Sequence, residues 1–118
     1  MLTPERLAAI YDCLRAFPPF CRYGLPPSEK VKFGFVRKHD RGADYIAYTY
    51  ALDQHMIRLN PDWNGHLDNI MAVTAHEMIH LHQRVKRLET NNTEHNADFK
   101  RKAKIICHRF GWDFKRFV

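Results

Sequence analysis

The chain has 118 residues, 45% hydrophobic and 27% charged, which is the composition of one folded domain and not of a disordered segment. Its formal charge of +6 is uneven: residues 1 to 83 carry nine cations and nine anions, so the whole excess lies in 84 to 118, ten basic against four acidic. No apolar run approaches the roughly 20 residues of a membrane span, and Met1-Leu2-Thr3-Pro4-Glu5-Arg6 lacks the layout of a signal peptide. A single cytoplasmic domain over 1–118 is expected.

Thr3 can cap a first helix with Pro4 at its first position, and Leu7, Ile10, Leu14 and Phe17 recur at helical spacing. The prolines from Pro18 to Pro27 then prevent both helix and central strand, so this stretch is a connection. Cys13, Cys21 and Cys107 form no CxxC pair and are expected to be reduced and mostly buried. From Val31 onward the period becomes two, and short polar breaks at Arg41-Gly42 and Asp53-Gln54 predict three antiparallel strands over 31–38, 43–52 and 54–60, closed by Pro61. A long helix follows from His66 to Leu88, with Leu67, Met71, Thr74, Met78, Leu81 and Val85 on its apolar face. A last helix starts near Asn96 as N-cap, turns Phe99, Ala103, Ile106 and Phe110 inward, and stops at Gly111. Helix, three strands and two helices make an α+β fold.

Within the long helix stands His76-Glu77-Met78-Ile79-His80, an HExxH pattern. Histidines four apart share one helical face with Cβ atoms about 5–6 Å apart, so both imidazoles reach one ion. Zinc suits such nitrogen ligands and tolerates an open fourth position. Glu77, one residue round the helix from His76, is placed to deprotonate a water there, which makes it the candidate general base.

A catalytic zinc needs a third protein ligand. Gln83 and Lys86 stand where the HExxHxxGxxH form has its glycine and third histidine, so that form fails. His82 points away round the helix, His108 is deep in the last helix, and His39, His55 and His66 lack helpful spacing. Glu94 and His95 remain, at the end of a polar loop before the last helix.

Here the chain resembles the SprT-like metalloproteases, which include the Spartan proteases: HExxH, a loop, a third histidine followed by a small residue, then an aromatic. The matching residues are His76, Glu77 and His80, then His95-Asn96-Ala97-Asp98-Phe99. The resemblance implies a minimal zincin-like core over nearly the whole chain, with His95 as third zinc ligand in preference to Glu94. Asn96 stands where the family often has glycine; asparagine tolerates unusual backbone angles and caps helices.

The expected activity is zinc-dependent endopeptidase chemistry, with Zn2+ on His76, His80 and His95, Glu77 moving the proton, and a protein or peptide substrate extended along a strand edge. Lys100, Arg101, Lys102 and Lys104 are expected on the outer surface of the last helix, where they offer sequence-independent contact with DNA and DNA-associated substrates. The alternatives are a non-enzymatic zinc-containing binding module and metal-dependent hydrolysis of a non-peptide bond. Tyr45, Tyr48 and Tyr50 are read as sheet packing, and Arg84, one turn beyond His80, carries no assigned role.

Overall fold

A computed structural model of the chain describes residues 2–37, 43–47, 55–61, 66–90 and 93–118. The first helix, α1, spans Pro4–Ala16, and the Thr3 side chain accepts from the Arg6 N–H at 3.2 Å, as its capping role requires. Leu7, Tyr11 and Leu14 form its buried stripe, whereas Phe17 lies past the helix end and is half exposed. The proline segment folds into two short 3-10 turns, Phe20–Arg22 and Ser28–Lys30, and is fastened to α1 side chains. Tyr11 donates its hydroxyl to the Pro26 carbonyl at 2.6 Å, and Asp12 accepts from both the backbone and the hydroxyl of Ser28.

The sheet corrects one expectation. Its strands are β1 (Val31–Phe35), β2 (Ala43–Ala47) and β3 (His55–Leu59), in the order β1-β3-β2. β2 and β3 are antiparallel, with Ala47 opposite His55, but β1 runs parallel to β3, with Val31 opposite His55 and Phe35 opposite Leu59. Alternating residues tell which face of a strand is buried and are silent on its partner and direction. Period two is clearest where it decides the core: His55, Ile57 and Leu59 of the central strand are buried in alternation. The breaks at Arg41-Gly42 and Asp53-Gln54, with Tyr48 and Tyr50, lie outside the described residues.

Helix α2 spans Leu67–Lys86 and packs against α1, β2, β3 and the third helix. Contact on several sides explains why its buried surface is wider than one amphipathic stripe: Ala75, Ile79, His82 and Gln83 are buried along with Met78 and Leu81. Leu67, predicted on the apolar face, is 62% exposed, because it is the first helical residue. Arg87 ends α2 in the left-handed region at φ 56°, and Leu88 N–H returns to the Gln83 carbonyl at 2.8 Å.

Helix α3 spans Ala97–Phe110, capped by the Asn96 side chain and ended by Gly111 at φ 75°. Phe99, Ala103 and Ile106 are buried as predicted, with Cys107 beside them. Cys13 and Cys21 are exposed, contrary to the expectation of mostly buried thiols, and all three are free. A fourth helix, α4 (Phe114–Phe117), follows the Gly111 turn where none was predicted. Among the described residues no helix is long and apolar enough to cross a membrane.

Candidate metal centre

His76 and His80 project from the middle of α2, and His95 immediately precedes the cap of α3. Each ring offers one nitrogen, and the three lie within 4.8 Å of one another. Phe99, fully buried one turn into α3, forms a floor beneath them, with its ring 5.0 Å from His76, 4.7 Å from His80 and 4.3 Å from His95.

Two long-range arrangements set the rings. The first acts on His76: its Nδ1 meets the Phe117 carbonyl at 2.6 Å, which makes Nδ1 the protonated nitrogen and leaves Nε2 with a free lone pair. That carbonyl is delivered by the chain's course after Gly111. Trp112 donates Nε1–H to Asp68 in the first turn of α2 at 2.9 Å, and Asp113 caps α4 through Lys115 N–H at 3.0 Å.

The second arrangement acts on His95 through its neighbour. Asn96 Oδ1 accepts from Phe99 N–H and from Gln83 Nε2, each at 2.9 Å, while its Nδ2 donates to the Leu88 carbonyl at 3.1 Å and to Thr90 Oγ1 at 3.2 Å. One side chain therefore ties the start of α3 to the body of α2 and to the loop after it. Its φ of −76° is ordinary, so asparagine serves here as cap and brace and no unusual angle is required. Gln83, 1% exposed, also donates to Asp98 Oδ2 at 3.1 Å.

Burial pushes all three imidazoles toward neutrality. His80 is pushed down to about 3 by desolvation and by the neighbouring His76 and His95. His76 falls to about 4, chiefly through burial, against the opposing pull of the Phe117 carbonyl. His95 is lowered too, by burial first. His80 Nε2 and His95 Nε2 are buried without a hydrogen-bond partner, a costly state for polar atoms unless something else occupies their lone pairs. Neutral rings and convergent lone pairs fit a borderline-soft divalent cation.

Glu77 is 5% exposed, one residue from His76. Glu94, the competing third ligand, stands outside the three-histidine group; it lines a groove of about 430 Å³ beside His80 with Gln83, Glu89, Thr90 and Thr93. His82 does point elsewhere: its Nδ1 lies 3.0 Å from the Tyr23 carbonyl, and its ring stacks on Tyr23 at 4.4 Å. His66 and His108 are exposed, His55 is buried at the sheet's end, and His39 lies outside the described residues.

The predicted basic face of α3 needs correction at Lys102. Its ammonium is 2.9 Å from Asp98 and its side chain is buried, because position 102 turns toward Tyr23 and not toward solvent. Burial opposes the charge of Asp98, but hydrogen bonds from Lys102 and Gln83 and the charges of Lys102 and Arg101 outweigh it and hold its carboxyl below the usual range. Arg101 is exposed yet also paired with Asp98 at 2.6 Å, so Lys100 and Lys104 are the freer cations of that face.

Two parts of the site had no usable signal in the sequence. Every residue has a carbonyl, so nothing marks Phe117; Gln83 reads as one more polar helix residue. Asn96 and Phe99 were visible, as cap and as aromatic, though not as brace and floor.

An HExxH helix with a distant third histidine makes a three-histidine group that could hold a metal ion. The SprT-like family model matches residues 14–116, and the chain belongs to that family. No curated protein and no solved structure matches the chain significantly.

Proposed function

We propose that the protein is a zinc-dependent endopeptidase. The observation that carries this reading is the convergence of three neutral imidazoles, two with orphaned Nε2 atoms, beside the buried Glu77 on one helix. Membership of the SprT-like family supports a metallopeptidase-like role and zinc as the ion. Within the described residues the ligand group has three members, which suits a catalytic site better than a closed structural one.

Bound zinc supplies Lewis acidity, which acidifies a water and polarises a carbonyl. His76, His80 and His95 hold the ion, with Phe117 fixing the tautomer of His76. Glu77 takes the water's proton and passes it to the leaving amine. Phe99 and Phe117 keep the floor of the site dry, which strengthens the electrostatics above it. The substrate lies extended along β2, the sheet edge packed against α2, where backbone hydrogen bonds need little sequence specificity. Lys100, Arg101 and Lys104 bring the protein to DNA-bound substrates through salt-sensitive contacts, without Lys102.

Incubation of zinc-loaded protein with unfolded and DNA-bound proteins, with and without chelator, tests the reading. Chelator-sensitive cleavage is expected; cleavage of none of them refutes it.

A further inference from the structure

One turn beyond His80, a second cavity of about 290 Å³ opens at the end of the sheet. It gathers Lys30 from the turn before β1, His55 from the start of β3, and Arg84 and Arg87 from the end of α2, between apolar walls from Pro26 and Val85. No carboxylate among the described residues lines it. Within those residues Lys30 and Arg87 form no ion pair, and Arg84 reaches only Glu89, at 3.8 Å, with its Nε buried and lacking an acceptor.

Cations at a helix C-terminus offset the macrodipole, which accounts for Arg84 but not for Lys30, delivered from a different element. Three cations around one recess, Lys30 and Arg87 exposed and Arg84 half-buried, favour an oxyanion, and a guanidinium fork matches a carboxylate. Position decides the source of that oxyanion. His76, His80 and Arg84 follow one another along a single face of α2, with Arg87 at its C-cap, and one helical turn rises about 5.4 Å while an extended peptide advances about 3.3 Å per residue. The register sets Ala47, the last residue of β2, opposite His55, so a peptide leaving the β2 edge passes the recess. A recess of about 290 Å³ takes one group, not the run of phosphates along a nucleic-acid backbone.

We propose that Lys30, Arg84 and Arg87 form a subsite for an acidic side chain of the peptide substrate, roughly two residues from the bond that is cut. This rests on the endopeptidase reading and adds a charge preference to it.

The test uses peptide pairs that differ only by Glu or Gln at positions up to about three residues either side of a mapped cleavage bond. At one position the Glu peptide should have a kcat/KM about tenfold higher with the zinc-loaded protein. The double variant Lys30→Glu/Arg87→Glu should invert the preference, selecting Lys over Glu at that position, which a misfolded protein cannot do. Fluorescence anisotropy of the same peptides on Glu77→Gln reads the subsite without hydrolysis. A Glu preference there, with no cleavage by the parent protein, supports the subsite and refutes the endopeptidase. Cleavage with equal rates for Glu and Gln at every position, or equal affinities on Glu77→Gln, overturns the subsite. So does a double variant that loses binding of a single-stranded oligonucleotide while its peptide preference is unchanged, which assigns the recess to phosphate.

Discussion

The two halves of the metal centre are built in different ways. On α2, His76 and His80 are brought together by the helix itself, since a spacing of four fixes their relation wherever the helix forms. On the α3 side, His95 has no such guarantee; it sits over α2 because Asn96 bonds to Gln83, Leu88 and Thr90 at once. Local geometry makes the first half robust to changes elsewhere, and tertiary contacts make the second half dependent on the whole fold.

The largest expected effect tests the α2 half. Glu77→Gln keeps the side chain's shape but cannot accept a proton, so turnover should fall by about 10²–10⁴-fold while zinc content and melting temperature stay near those of the parent. Peptide kinetics beside metal analysis checks both parts; parental turnover removes Glu77 as the base.

Two neighbouring substitutions then separate ligand from brace. His95→Ala should weaken zinc by more than about 100-fold, read by competition with a chromophoric chelator, yet leave the metal-free fold nearly as stable, because it deletes a buried nitrogen with no partner. Asn96→Ala removes a helix cap and three further hydrogen bonds, so it should cost about 2–3 kcal/mol in urea denaturation of the metal-free protein and weaken zinc as well. Equal metal-free stabilities for the two variants would erase the distinction between ligand and brace.

Acid should act most strongly on the α2 half. His76 and His80 are held near 4 and 3 in the metal-free fold, below the ordinary 6.5. The unfolded chain therefore binds protons first: the stability from keeping the rings neutral is fully present above pH 6.5 and is lost as pH falls toward those folded values. Metal-free melting measured from pH 7 to pH 5 should show a loss of about 2 kcal/mol for each of the two rings, and zinc should shield it. A flat profile would mean that the rings are less buried than their packing indicates.

The smallest effect lies where α2 ends. Arg87 occupies the left-handed region that glycine adopts without strain, so Arg87→Gly should raise stability by about 1 kcal/mol, as read from the denaturation midpoint.

What the sequence made legible follows the same division. Thr3 with Pro4, Asn96 and Gly111 announced helix ends through local chemistry, and the HExxH pattern announced half of the site. Elimination among the histidines left His95 beside Glu94, and the spacing of a family motif favoured His95. The parallel pairing of β1 with β3, the inward turn of Lys102 toward Asp98 and the Phe117 carbonyl on His76 depend on what each segment meets in space, and no periodicity encodes that.

The aromatic floor has a spectroscopic consequence. Phe99 stacks on His80 and His95 at interplanar angles of 29° and 14° but stands at 64° to His76. Protons above an aromatic face are shielded by its ring current, so the carbon-bound protons of the His80 and His95 rings should resonate upfield of their counterparts in His76. Proton NMR of the eight histidines can then separate the shared floor from the rest of the chain. Phe99→Leu, by removing the current, should collapse the separation and assign the resonances.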